Sequence, residues 1–155
     1  MNLEWARDWA AAFNRRDNDA VMKFYTDDLF FEDLFFRIEM RGREQFLHAL
    51  QAYASAPSRS SNEVVDYQGD ATGGAISWIW HFDPVGKFMG HEVTGRSCKV
   101  PGFSIIKIRD GRIWRQSDIV DGISVLEDLG VLKKEPIDEI DPMHGSAGWV
   151  LRMVA

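Results

Sequence analysis

A lone cysteine, Cys98, in a chain of 155 residues excludes an internal disulfide, a thiolate metal cluster and a dithiol redox pair. That usage fits a reducing compartment, and a cytoplasmic protein is expected. Positive charge is also in deficit, since 18 Lys and Arg stand against 24 Asp and Glu for a net charge of -6. Nucleic-acid binding needs clustered cations to neutralise phosphates, and an anionic membrane surface makes the same demand, so neither partner is expected. No apolar stretch approaches the roughly 20 residues needed to span a bilayer. The opening segment Met1 to Ala12 carries Glu4, Arg7 and Asp8 inside an apolar pattern, which reads as mature protein and not as a signal peptide. Four histidines show no metal-ligand spacing such as His-Glu-x-x-His, and neither a glycine-rich phosphate loop nor a serine nucleophile elbow is present. A site without metal or organic cofactor is therefore expected.

What the chain does have is apolar bulk: 45% hydrophobic residues with 12% aromatics fill one core, and the length leaves no room for a second domain. Trp5, Trp9, Ala12 and Phe13 recur at helical spacing. A second short helix, capped by Asp17 or Asn18, turns Val21, Phe24 and Tyr25 inward before Thr26-Asp27-Asp28 breaks it. Leu29 to Phe36 reads as a Phe-rich strand interrupted by Glu32 and Asp33. Gly42 precedes a third helix with Phe46, Leu50, Tyr53 and Ala54 on one face, ended by Ala56-Pro57. After a polar loop at Ser58 to Ser61, strands are predicted at Glu63 to Tyr67, Ala75 to Phe82, Phe88 to Arg96, Cys98 to Arg109 and Arg112 to Val120. A short helix over Ser124 to Leu129 stops at Gly130, and a tail over 133–155, with an apolar patch at Trp149, Val150, Leu151 and Met153, is expected to pack on the body or on a partner subunit. Helices first and strands afterwards define an α+β domain over 1–132: helices over a curved antiparallel sheet, enclosing a pocket for a small organic molecule.

Strand alternation supplies the candidate chemistry. In Ala75 to Asp83 it places Ile76, Trp78, Trp80 and Phe82 on one face, with Ser77, Ile79, His81 and Asp83 on the other. Both faces then need cover, which predicts helices on one and a second copy of the chain on the other: a homodimer through the sheet, with Trp80 against the partner. In Arg112 to Val120 the alternation groups Trp114, Gln116, Asp118 and Val120. An aspartate on such a face loses water, its pKa rises, and it becomes able to give and take a proton near neutrality; the alternative is an Asp paired with Arg112, Arg115 or a backbone amide. Asp33 is a candidate second carboxylate or an edge residue turned to solvent. His81 and Asp83 form a candidate pair at i, i+2.

The chain carries, in order, Trp9-Ala-Ala-Ala-Phe-Asn14 with Asp17 and Asp19, Tyr25-Thr-Asp-Asp28, Gly42-Arg-Glu44, Val85-Gly-Lys-Phe-Met-Gly90, Thr94-Gly-Arg96, and Asp110-Gly-Arg-Ile113 followed by Asp118, Asp121 and Val125-Leu-Glu-Asp-Leu-Gly130. In this order and spacing the strings resemble the SnoaL-like polyketide cyclases of the nuclear transport factor two-like superfamily. The resemblance runs from about Trp5 to Gly130. It implies a cone-shaped cystatin-like fold and a cofactor-independent enzyme in which Asp118 is the general acid/base for ring closure. Limonene epoxide hydrolases, similar in fold, have an acid in the same place and an Arg-x-Asp pair that His81-Phe-Asp83 matches with histidine for arginine; Phe31 and Asp33 stand where that family has tyrosine and asparagine. Ketosteroid isomerases have their base where Asp33 stands, and Trp9 replaces their tyrosine. The expectation is a cyclase or isomerase acting on a small apolar or polycyclic substrate. Its catalytic groups would be Asp118, Asp33, His81 and Asp83, and its pocket walls Tyr25, Phe31, Tyr53 and Trp114, with hydroxyls offered by the two tyrosines. An epoxide hydrolase and a non-catalytic ligand-binding module are the alternatives.

Overall fold

The computed structural model describes residues 1–136 and 149–154, and opens with α1 (Leu3–Asn14), capped by the Asn2 side chain accepting from the Trp5 amide. Its buried stripe, Ala6, Trp9, Ala10 and Ala12, lies against the sheet, where one large side chain such as Trp9 contributes roughly 1.5–3 kcal/mol by leaving water. Asp17 caps the short α2 (Asn18–Met22) through the Ala20 amide, so of the two predicted caps the aspartate takes the role. The chain then enters β1 (Tyr25–Asp33). Thr26-Asp27-Asp28, predicted as a breaker, is instead its opening, with the two acids pointing to solvent while Tyr25, Thr26 and Leu29 are buried. A turn at 34–37, with Arg37 at φ 55, leads into β2 (Ile38–Arg41), a short edge strand missing from the sequence-based reading.

Helix α3 (Gly42–Ser55) buries Phe46 and Leu50 and ends before Pro57. Of the expected polar loop at Ser58 to Ser61, only Ser58 precedes the strand and the rest opens β3 (Arg59–Gly69), which pairs antiparallel with β4 (Gly73–Asp83). The predicted strand at Phe88 to Arg96 is overturned. Left-handed backbone at Gly86, Met89, Gly90 and Gly95 folds it into a separate two-stranded hairpin, β5 (Lys87–Phe88) and β6 (His91–Glu92). Strands β7 (Cys98–Arg109) and β8 (Arg112–Val120) match expectation, and α4 (Gly122–Asp128) is capped by Asp121.

The main sheet runs β2-β1-β8-β7-β4-β3. Every pair in it is antiparallel except β1 and β8, which run parallel. The all-antiparallel expectation fails there because β8, paired on one edge with its hairpin neighbour β7, lies with its other edge along the first strand and runs in the same direction. One buried cluster joins α1, α2 and α3 to the concave face of the sheet through Trp9, Tyr25, Phe31, Phe46, Ile76, Trp78 and Ile106. A second cluster (Val93, Cys98, Val100, Val125, Leu129, Val131) closes the end under α4.

Of the tail, β9 (Leu132–Pro136) pairs with β10 (Trp149–Met153), and the Val154 amide donates to the Val131 carbonyl. Within the expected apolar patch Met153 is exposed, while residues 137–148 and the side chains of Trp149, Val150 and Leu151 lie outside the described residues. Among the described residues no helix is long and apolar enough to cross a membrane.

Candidate active site

Strand register determines which polar groups share the concave face. Asp118 is the partner of Ser104 across β7–β8 and of Asp33 across β1–β8, and Ser104 in turn pairs with Ile76. Gln116, two residues back on β8, pairs with Ile106 and Phe31 and is fully buried. These positions converge: Ser104 Oγ donates to Asp118 Oδ1 at 2.7 Å and Gln116 Nε2 donates to the same oxygen at 2.8 Å. Behind them, Trp78 Nε1 donates to Ser104 Oγ at 2.9 Å, Tyr25 Oη donates to Gln116 Oε1 at 2.6 Å, and Trp9 Nε1 donates to Tyr25 Oη at 2.9 Å. Asp118 Oδ2 has no partner among the described residues. Because none of their buried side-chain oxygens or nitrogens lacks a hydrogen bond, Oδ2 must reach open space.

Burial raises the pKa of Asp118 to about 7, against the two hydrogen bonds that favour its anion, and the nearby Asp33 charge adds to the rise. Asp33 is itself raised by burial, while the amides of Phe35 and Phe36, each 2.9 Å from its Oδ1, oppose that shift. Asp33 also borders an open cleft of about 360 Å³ lined by Glu32, Leu34, Arg37, Ile38 and Glu39. Deep burial pushes the Tyr25 phenol well up, so it acts as a neutral hydrogen-bonding group.

Close packing makes this arrangement. A β-carbon at Gly102 would lie 2.1 Å from the Trp78 ring, so the indole rests on bare β7 backbone and its N–H reaches Ser104. Toward the end of α4 the concave face becomes aromatic. Trp80 stacks on Phe82 at 4.6 Å between ring centres, Phe36 meets Trp80 edge-on at 6.3 Å, and Phe88 lies 6.0 Å from Phe36 and 5.9 Å from Phe82. Phe36 is 40% exposed, so part of this aromatic surface is open.

The structure brings Asp118 and Asp33 together and separates the other expected catalytic groups from them. His81 projects from the opposite face of β4, where it pairs with Glu63 at 3.1 Å, and Asp83 is exposed at the strand end. Neither is placed to tune Asp118. Trp114 is not a pocket wall: the register slips between Lys107 and Ile108 on β7, so Ile113 and Gln116 both point inward while Trp114 and Arg115 bulge outward. Lys107 and Arg109 lie over the Trp114 ring on the convex side. Tyr25 and Phe31 do lie inside, yet the Tyr25 hydroxyl is committed to Trp9 and Gln116, and Phe31 packs on Phe46. Tyr53 bonds the Ser60 carbonyl at 3.3 Å beneath the Arg16 guanidinium. Trp80 faces inward with Trp78, and its N–H donates to Ser60, so the expectation that it meets a partner chain is replaced by a place on the concave face. Sequence reasoning gave no site role to Ser104 or Phe36, and it placed Gln116 on the face of Asp118 without assigning it a function. The signal for Ser104 was available: it is the only hydroxyl in the alternating series Cys98, Val100, Gly102, Ser104, Ile106, Ile108.

N-terminal helices packed on one face of a curved, mostly antiparallel sheet give the ketosteroid isomerase-like fold of small α+β proteins. The chain belongs to the SnoaL-like domain family, whose model matches residues 6–116. That match ends two residues before Asp118, so the case for this residue rests on geometry. No curated protein matches the chain significantly. Among solved structures it is similar to a hypothetical protein with a ketosteroid isomerase-like fold from Catenulispora acidiphila, determined with trimethylamine (18% identity, TM-score 0.71, covering 84% of this chain and 95% of the other). It is similar also to two proteins provisionally described as polyketide cyclases. One is from Xanthomonas campestris (23% identity, TM-score 0.69, covering 80% and 93%) and the other, IdmH, from Streptomyces antibioticus (23% identity, TM-score 0.68, covering 83% and 97%). At these identities the likeness is one of fold.

Proposed function

We propose that the protein is a cofactor-independent enzyme of the cyclase or isomerase type that moves protons on a small, flat, mostly apolar substrate, with Asp118 as general acid/base. One observation carries this reading: a carboxyl raised to about 7 keeps one oxygen bonded and the other open on an apolar concave face. An acid with that affinity is populated in both protonation states near neutrality, as removal of a proton beside a carbonyl and its return require. Asp33 acts as the second carboxylate by raising the proton affinity of Asp118. Phe36, Trp80, Phe82 and Phe88 receive the substrate's rings.

The epoxide-hydrolase alternative loses support because His81 and Asp83, the counterparts of its acid-orienting pair, face away from Asp118. The proposal includes a homodimer through the convex face. There Phe103 (49% exposed), Ile105 (50%) and Ile119 (39%) occupy neighbouring positions on β7 and β8, and light scattering on the purified chain tests this part.

The chemistry is tested with a panel of polycyclic and alicyclic ketones in deuterated water. The wild type should introduce deuterium beside the carbonyl of at least one ketone, and Asp118→Asn should bind that ketone without exchanging it. Exchange undiminished in Asp118→Asn would remove Asp118 from the mechanism, and binding without exchange across the panel would favour the ligand-binding module.

A further inference from the structure

Hydrogen-bond direction around Asp118 is fixed from both ends. An indole N–H can only donate, and an ionised carboxylate can only accept. Trp78 therefore obliges Ser104 Oγ to accept, which leaves the serine proton for Asp118 Oδ1. Trp9 likewise obliges Tyr25 Oη to accept, so the phenol proton goes to Gln116 Oε1 and the amide turns its N–H toward the same Oδ1. Two one-way relays, each starting at a tryptophan, thus end on one oxygen.

From this geometry we infer that Trp9 and Trp78 are positioning residues that assign the exchangeable proton of Asp118 to Oδ2. A proton on Oδ1 would meet the serine proton on one side and the amide N–H on the other. Turning the Ser104 hydroxyl over sets its O–H against the Trp78 N–H, and turning the Gln116 amide over sets its N–H against the phenol proton of Tyr25, which the Trp9 N–H keeps from turning back. With the proton on Oδ2, no bond in either relay has to reverse when Asp118 ionises. The oxygen facing open space takes a proton from substrate carbon and returns it to the substrate, without rotation of the carboxyl. This inference builds on Asp118 as the titrating group of the proposed site. The titratable neighbours that bear on it are Asp33 from β1 and the Tyr25 phenol; Ser104, Gln116, Trp78 and Trp9 carry no charge.

The test needs no substrate. Ionisation of Asp118 strengthens the bonds donated to Oδ1, and polarisation passes along each chain of hydrogen bonds. In an NMR pH titration of the wild type, the indole N–H resonances of Trp9 and Trp78 should move with the midpoint of the Asp118 carboxyl carbon. Those of Trp5 and Trp114, outside both relays, should stay still and report that the fold is intact. Tyr25→Phe should stop the Trp9 indole from following while Trp78 continues; Ser104→Ala should do the reverse and raise the carboxyl midpoint by about one unit. A Trp9 or Trp78 indole that stays still in the wild type while the carboxyl titrates overturns the inference, as does a Trp9 indole that still follows in Tyr25→Phe. A carboxyl midpoint near the ordinary aspartate value, with both indoles following it, would leave the relays standing and remove the support for proton-transfer catalysis.

Discussion

Asp33 and Asp118 are register partners on the one parallel strand pair of the main sheet, and the charge of the first raises the proton affinity of the second. The pairing arises because β8, the last long strand, returns to lie beside β1, bringing together acids 85 positions apart in sequence (118 minus 33).

Asp33→Asn should therefore lower the Asp118 pKa. The asparagine oxygen can still accept from the Phe35 and Phe36 amides, so the turn is kept while the negative charge is removed. Burial is the larger cause, so Asp118 should remain above an ordinary aspartate. Carboxyl-carbon NMR reads both outcomes, and an unchanged or higher midpoint would show that the two acids are not coupled.

Gly102→Ala probes the seat of the Trp78 indole. The added methyl would lie 2.1 Å from the ring, so the indole must move and its bond to Ser104 must lengthen or break. Overpacking of this kind costs roughly 1–3 kcal/mol, and a urea unfolding curve should show that loss together with a rise in the Asp118 pKa. A variant of wild-type stability would mean the indole has room to shift.

Much of this fold is legible in the sequence, because helical stripes such as Trp5, Trp9, Ala12 and Phe13 and alternating strands such as Cys98 to Arg109 each state their own buried face. Strand alternation also separates His81 from Trp80. It cannot say which face of β4 aligns with Asp118, since that depends on register across β7, a relation between distant segments. Trp114 was misplaced for a local reason of the same kind: one extra residue at the β8 bulge inverts the alternation upstream of Gln116. The strand expected at Phe88 to Arg96 failed because extended propensity says little about a segment whose Gly86, Gly90 and Gly95 all adopt left-handed backbone.

His81→Ala should leave the site unchanged. The His81–Glu63 pair is on the outer face with side chains 39% and 65% exposed, where such contacts contribute about 0–1 kcal/mol. Stability should change by less than about 1 kcal/mol and the Asp118 midpoint should not move. A clear shift in that midpoint would require a route from His81 through the sheet.

Asp118→Asn gives a stability prediction whose sign follows from the raised pKa. The folded state holds a proton on Asp118 up to about pH 7, whereas the unfolded chain releases it near the ordinary aspartate value of about 4. Between those values the folded protein binds the extra proton, so this group's contribution to stability falls as pH rises and levels off above the folded pKa. Below about pH 4 both states are protonated and the term vanishes. Asparagine resembles the neutral acid: its oxygen can accept from Ser104 and Gln116, and its amide occupies the place of the protonated Oδ2. The variant should match the wild type near pH 4 and be more stable at pH 8, with an upper bound of about 4 kcal/mol on the gain. Urea unfolding at the two pH values measures this difference, and a variant less stable than the wild type at pH 8 would show that the fold accommodates the ionised carboxylate without strain.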